Sequence, residues 1–198
     1  TVPPRFGPAD PAKQIGSRVL EFLVEWRATR LSAWAATMRR RIYVETSIPS
    51  FFYEVRAEPD MVSRREWTNQ WWARAVGRDE LVTSEAVLNE LGRGGHPRRE
   101  DCLALLSGLS LLPINRAIAE TIEGYLSHHL MPRDPLGDAL HLALASHHRC
   151  DFLVTWNCRH LANANKFDHI RRVNGILGLF VPAIVTPLEL LGDDNEQE

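Results

Sequence analysis

From residue 41 onward the chain alternates between two rhythms. Short contiguous apolar runs are followed by longer segments whose apolar residues recur at helical spacing. Ile42-Tyr43-Val44 reads as a first strand. Pro49 suits the first turn of a short helix that carries Phe51 and Phe52. Residues 60–76 form a helical pattern weighted by Met61, Trp67, Trp71 and Trp72. Leu81-Val82-Thr83 is a second strand. Ser84 is placed to cap the next helix, which Gly92 and Gly94-Gly95 end. A helix over 97–107 leads to a third strand from Ser110 to Pro113. A helix over 115–130 stops before Pro132. A helix over 138–148 feeds a strand at 151–155. A helix over 161–173 and a last strand from Val181 to Val185 follow, and Thr186-Pro187 opens a terminal helical turn. Strands alternating with helices predict an α/β fold, a mostly parallel central sheet between two helical layers.

Upstream of residue 38 the texture differs. Residues 1–17 are rich in Pro, Gly and Ala and read as a loose arm. Residues 18–37 carry an apolar stripe of Val19, Leu20, Phe22, Leu23, Trp26, Leu31 and Trp34. The expectation is an extension over 1–37 outside the main fold, a single domain over 38–192, and a frayed acidic tail over 193–198. Met38 directly precedes the first strand. That position is compatible with a natural start there, or with an appended helix that docks on the domain.

The 198 residues suffice for one domain with a sizeable core. Apolar residues make up 44% and charged residues 24%, as in ordinary globular proteins. A net charge of −2 provides no global basic field. Cys102, Cys150 and Cys158 form no CxxC pair. They read as thiols of a reducing compartment; zinc on Cys150, Cys158 and His160 would lack a regularly spaced fourth ligand. No apolar run reaches the ~18 residues of a membrane span, no secretory leader is visible, and the chain reads as cytoplasmic. There is no GxGxxG and no GxxxxGK[ST], which argues against a nucleotide cofactor.

The candidate chemistry lies in acids at strand ends. In an open α/β sheet, ligands bind outside the carboxyl ends of the strands. Glu45 ends the first strand and is followed by Thr46 and Ser47. Glu85 and Glu90 share one helix. Glu85 sits in the first turn, where the helix dipole welcomes an anion. Glu90 sits in the last turn, where the dipole opposes it, and borders the apolar face; it therefore needs a positive partner and is the better candidate. Asp138 opens its helix and can be read simply as an N-cap. Asp151 and Asn157 bracket one strand roughly 20 Å apart, so only Asn157 is at the Glu45 end. His141 shares the Asp138 face. His160 and Arg159 follow Asn157. Several carboxylates brought together repel one another unless a hard cation lies between them.

These pieces resemble a PIN-domain ribonuclease of the VapC toxin type. The motifs are Glu45-Thr46-Ser47, the helix running from Ser84 to Glu90, Asp138-Ala-Leu-His-Leu-Ala-Leu-Ala, and Leu153-Val-Thr-Trp-Asn157, in that order, over about residues 41–191. The resemblance implies a Rossmann-like α/β/α sandwich and Mg²⁺ or Mn²⁺ held by Glu45, Glu90 and Asp138, with Asn157 completing the catalytic set. It also implies hydrolysis of RNA phosphodiester bonds, a homodimer, and a small antitoxin as protein partner. Thr46, Ser47, His141, Arg159 and His160 become candidate substrate contacts, and Arg171-Arg172 candidate phosphate contacts. Two departures stand out: Glu45 where the family has Asp, and Asn157 where it has a fourth acid. Both weaken metal binding, and they leave open a module that binds RNA or a partner without cutting. DNA is the other nuclease substrate compatible with these motifs. Trp67, Trp71 and Trp72 exceed what one helix need bury, and predict a self-association surface.

Overall fold

A computed structural model describes residues 39–131 and 137–192. The N-terminal arm and stripe, the proposed start at Met38, and the acidic tail lie outside the described residues.

Five strands form one sheet: β1 (Arg41–Val44), β2 (Glu80–Ser84), β3 (Ser110–Leu112), β4 (Phe152–Val154) and β5 (Ala183–Val185). Their order is β3-β2-β1-β4-β5 and every pairing is parallel. The mostly parallel sheet expected from the sequence is thus fully parallel. The chain moves outward from β1 in one direction through β2 and β3, then returns to β4 on the other side. Right-handed crossovers then place helices on both faces. The gap between β1 and β4 is the switch point at which such sheets take ligands.

The connecting helices are α1 (Ser47–Phe52), α2 (Pro59–Ala75), α3 (Glu85–Arg93), α4 (Arg99–Leu106), α5 (Arg116–Ser127), α6 (Asp138–His147), α7 (Ala164–Ile176) and α8 (Pro187–Leu191). Helix α6 is buried on every side from Ala139 to Ser146, which explains its nearly unbroken apolar sequence. Its two buried polar side chains are both hydrogen-bonded. Ser146 joins a network with Tyr125 and Asn174, and His141 belongs to the site described below.

Three expectations change in detail. Ser84 occupies the N-cap position of α3, but its hydroxyl does not cap; it bonds to Tyr43 instead. Asp138 is the first helical residue of α6 and Gly137 is the cap, so the capping explanation for this acid falls away. Helix α7 begins at Ala164 rather than 161, because the Asn163 side chain caps it by accepting from Asn165 N–H at 3.1 Å.

The tryptophans of α2 pack within their own domain. Trp71 and Trp72 are buried, and Trp67 stacks on Trp156 with ring centroids 6.1 Å apart. Internal packing therefore accounts for the aromatic density that had suggested a self-association surface.

Between α1 and α2, Glu54 clamps the loop. Its buried carboxylate accepts from Val55 N–H and Arg56 N–H at 3.0 Å each, and from the Arg56 guanidinium. The Arg56 hydrogen bond, opposed by burial, draws the Glu54 carboxyl down to about 2. A depressed folded pKa stabilises above the unfolded value, and the gain disappears as pH falls from about 4.5 to about 2. Glu54→Gln is expected to cost about 1–3 kcal/mol at neutral pH. The gap between variant and wild type should close in acid. Urea melts across that window check it, and a gap independent of pH would refute the assignment.

Candidate active site

The carboxyl edge of the sheet gathers the acids. Glu45 follows β1, and its side chain is only 7% exposed. Its Oε2 accepts three hydrogen bonds: Ser47 N–H at 3.0 Å, Ser47 Oγ at 2.5 Å and Thr155 Oγ1 at 2.8 Å. Among the described residues nothing bonds its Oε1. The extra methylene of Glu over Asp is therefore absorbed by a tight cradle from the α1 start and the β4 end.

Glu90 sits in the last turn of α3, its side chain 45% exposed. Its Oε2 accepts from Thr46 Oγ1 and lies 3.2 Å from His141 Nε2. The partner that Glu90 finds is thus His141, which is positive only when its imidazole is protonated. Behind it, His141 Nδ1 is 2.9 Å from the Tyr43 hydroxyl, which is 2.8 Å from Ser84 Oγ. This buried chain ties β1, β2, α3 and α6 together. The His141 hydrogen bond is the main cause that holds the Glu90 carboxyl below its usual range, helped by Thr46. Burial pushes His141 towards neutrality, but Glu90, Glu45 and Asp138 outweigh it and raise the imidazole. His141 is buried with both ring nitrogens engaged, so it stands behind the carboxylates rather than on the open surface.

Asp138 opens α6. Its Oδ1 accepts from Asn157 Nδ2 at 2.7 Å. The Asn157 Oδ1 accepts from His160 N–H at 3.1 Å, which fixes the amide orientation. Burial raises the Asp138 carboxyl, against the pull of His160, His141, Lys166 and the Asn157 amide.

Ligand atoms of Glu45, Glu90 and His141 all lie within 4.8 Å of one another. Two oxygens on one hard cation at ~2.1–2.6 Å can be at most about 4–5 Å apart, so this separation fits a shared ion. Asp138 stands outside that closest group and is tied to Asn157 instead.

Of the other candidates, Thr46 and Ser47 are enlisted by the two glutamates. Arg159, Arg171 and Arg172 are exposed, and His160 is half-buried. Asp151 is at the opposite end, accepting from Arg41 N–H at 2.7 Å. Glu85 is exposed, outside the acid group. Tyr43, Ser84, Thr155 and Lys166 were not foreseen as part of the site. The spacing of Tyr43 two residues before Glu45, hence on the same strand face, was the one available signal for the first of them.

The PIN domain family model matches residues 42–166. The chain belongs to the PIN-domain family. No curated protein matches the chain. PIN domains are typically divalent-metal-dependent nucleases acting on RNA or DNA, and the acidic cluster here is the candidate metal site. Among the described residues of this PIN domain, no helix is long and apolar enough to cross a membrane.

Asn157 offers a direct probe. In Asn157→Asp an N–H···O bond to Asp138 becomes a contact between two carboxyl groups. Without a cation the variant is expected to lose about 1–3 kcal/mol, and Mg²⁺ or Mn²⁺ should restore it. Thermal melts in chelator and in metal give the readout. Equal stability of variant and wild type in chelator would refute the Asp138–Asn157 pairing.

Proposed function

We propose that this PIN domain is an endoribonuclease of the VapC toxin type, dependent on Mg²⁺ or Mn²⁺. One observation carries the reading. Glu45, Glu90 and Asp138 are each hydrogen-bonded through one carboxylate oxygen, while the other has no partner among the described residues. Side chains so anchored are oriented beforehand and keep an anionic oxygen for a cation.

In this reading Glu45, Glu90 and Asp138 hold the ion. When bound, it supplies a lowered pKa for an attacking water and screening of the scissile phosphate. The chain's own groups do the rest. Ser47 and Thr155 fix Glu45; Thr46 and His141 fix Glu90; Asn157 turns Asp138. Lys166, whose charge acts on Asp138, flanks the acids with positive charge for the phosphate, and the half-buried His160 is a further candidate contact to it. Arg159, Arg171 and Arg172 take neighbouring backbone phosphates.

The order of motifs along the chain supports the VapC type. With it come the further proposals of a cytoplasmic homodimer silenced by a small antitoxin. The domain division belongs here too: a PIN domain over 38–192 with an extension before it and an acidic tail after it.

The test is cleavage of RNA and DNA substrates by the wild type with Mg²⁺, with Mn²⁺ and in excess chelator, using Asp138→Asn as control. RNA cleavage confined to metal and lost in the control is the expected result. Cleavage undiminished by chelator would reject the mechanism. The amide of Asn157 on Asp138 favours one competing reading, a module that binds without cutting; RNA bound but never cut with either metal would establish it.

A further inference from the structure

Glu90 sits where its own helix does not favour it. It is half-exposed, in the last turn of α3, where the helix dipole opposes a carboxylate. Two bonds hold its Oε2. One comes from Thr46 Oγ1 near the surface, the other from His141 Nε2 at 3.2 Å. The second leads inward. His141 and Tyr43 are both buried; Nδ1 of the imidazole is 2.9 Å from the Tyr43 hydroxyl, and that hydroxyl is 2.8 Å from Ser84 Oγ. Ser84 holds the N-cap position of α3, yet its hydroxyl makes no cap bond and turns to Tyr43 instead. The start of α3 and the carboxylate in its last turn are thus joined through two buried rings, with centroids 5.9 Å apart.

The hydrogens of this chain follow from its outer end. A carboxylate only accepts, so Nε2 of His141 carries hydrogen. In a neutral ring Nδ1 is then bare; Tyr43 donates to it, and Ser84 donates to Tyr43. In a charged ring Nδ1–H donates to Tyr43, which donates to Ser84. A phenol hydroxyl serves both arrangements, because it donates and accepts. A phenyl ring serves neither, and leaves a buried Nδ1 without a partner. The Tyr43 hydroxyl therefore opposes any turn of the imidazole about its own axis, the turn that would carry Nε2–H away from Glu90.

We propose that Tyr43 is a positioning residue of the metal site: through His141 it fixes the Glu90 carboxylate, and so sets how tightly the site holds a divalent cation. The inference rests on the metal-dependent reading above and deepens it. Groups that bond a metal-ligating side chain directly are worth about 10- to 100-fold in metal affinity. Tyr43 acts one step further back, which brings the expectation to about 3- to 30-fold.

The test titrates the full chain with Mn²⁺ and follows the free ion by electron paramagnetic resonance. Tyr43→Phe should weaken binding about 3- to 30-fold. Tyr125→Phe is the control. It too removes a buried hydroxyl, one bonded to Ser146 and Asn174 outside the acid group, and should leave the affinity within about twofold. In a Glu90→Ala background the effect of Tyr43→Phe should also shrink to within about twofold, because the path ends at Glu90. Nitrogen-15 spectra of the wild type in chelator should place hydrogen on Nε2 of His141 and show Nδ1 hydrogen-bonded. Melting curves show whether each variant is folded; if Tyr43→Phe is not, the ring spectrum decides. A folded Tyr43→Phe with unchanged Mn²⁺ affinity would overturn the proposal. So would an equal loss in Tyr125→Phe, a loss undiminished in the Glu90→Ala background, or a bare Nε2 in the wild type. A wild type that binds neither Mn²⁺ nor Mg²⁺ would instead refute the metal-dependent reading itself.

Discussion

Glu45→Gln is expected to reduce metal-dependent RNA cleavage by at least about 100-fold, equivalent to about 2.7 kcal/mol of transition-state stabilisation. The amide is nearly isosteric with the carboxylate. Its oxygen can still accept from Ser47 N–H, Ser47 Oγ and Thr155 Oγ1, so the cradle survives. The group replacing Oε1 is then an NH₂, which repels a cation where the carboxylate attracts one. The loss should appear in kcat/KM, with the melting temperature in chelator nearly unchanged. Cleavage within threefold of wild type would remove Glu45 from the metal site.

The largest structural effect is expected at Trp71. It is 2% exposed and meets Trp72 edge-on at 5.9 Å. Truncation in Trp71→Ala opens a cavity and should cost about 3–5 kcal/mol, lowering the melting temperature by about 6–20 °C for a domain of this size. Trp71 Nε1 is buried with no hydrogen-bond partner among the described residues, so Trp71→Phe also removes an unsatisfied donor and should cost far less than the alanine variant. Thermal melts of the pair separate lost packing from lost polarity. Comparable losses in both variants would show that the indole N–H has a partner in solution.

Periodicity and turn chemistry made the sheet legible. The five strands and their connecting helices follow from apolar runs broken by Gly, Pro and capping residues, and Asp151 could be placed at the far end by strand length alone. Glu45 stood out because it closes a buried strand at its carboxyl end, where open α/β sheets take their ligands. What remained hidden depends on neighbours distant in sequence. Tyr43 in Ile-Tyr-Val reads as core; its hydroxyl finds Ser84 and His141 only once β2 and α6 lie beside β1. Thr155 looks like an ordinary strand residue until β4 aligns with β1. His141 was grouped with Asp138 by helical spacing, yet its bonded partner is Glu90, 51 positions away. The tryptophans of α2 could not be assigned from sequence, because composition shows how much aromatic surface must be covered, not which neighbour covers it.

The brace on Glu45 comes from Thr155, 110 positions downstream. At ribosomal rates of about 5–20 residues per second, that stretch takes roughly 6–22 s to synthesise. During that time β1, β2 and β3 can pair, and both glutamates are already present in the emerging chain. The brace, Asp138 and the Asn157 amide arrive only with the last third. Parallel pairing across so long a loop also forms slowly. A half-made chain therefore lacks the complete site, whose assembly is timed by translation itself.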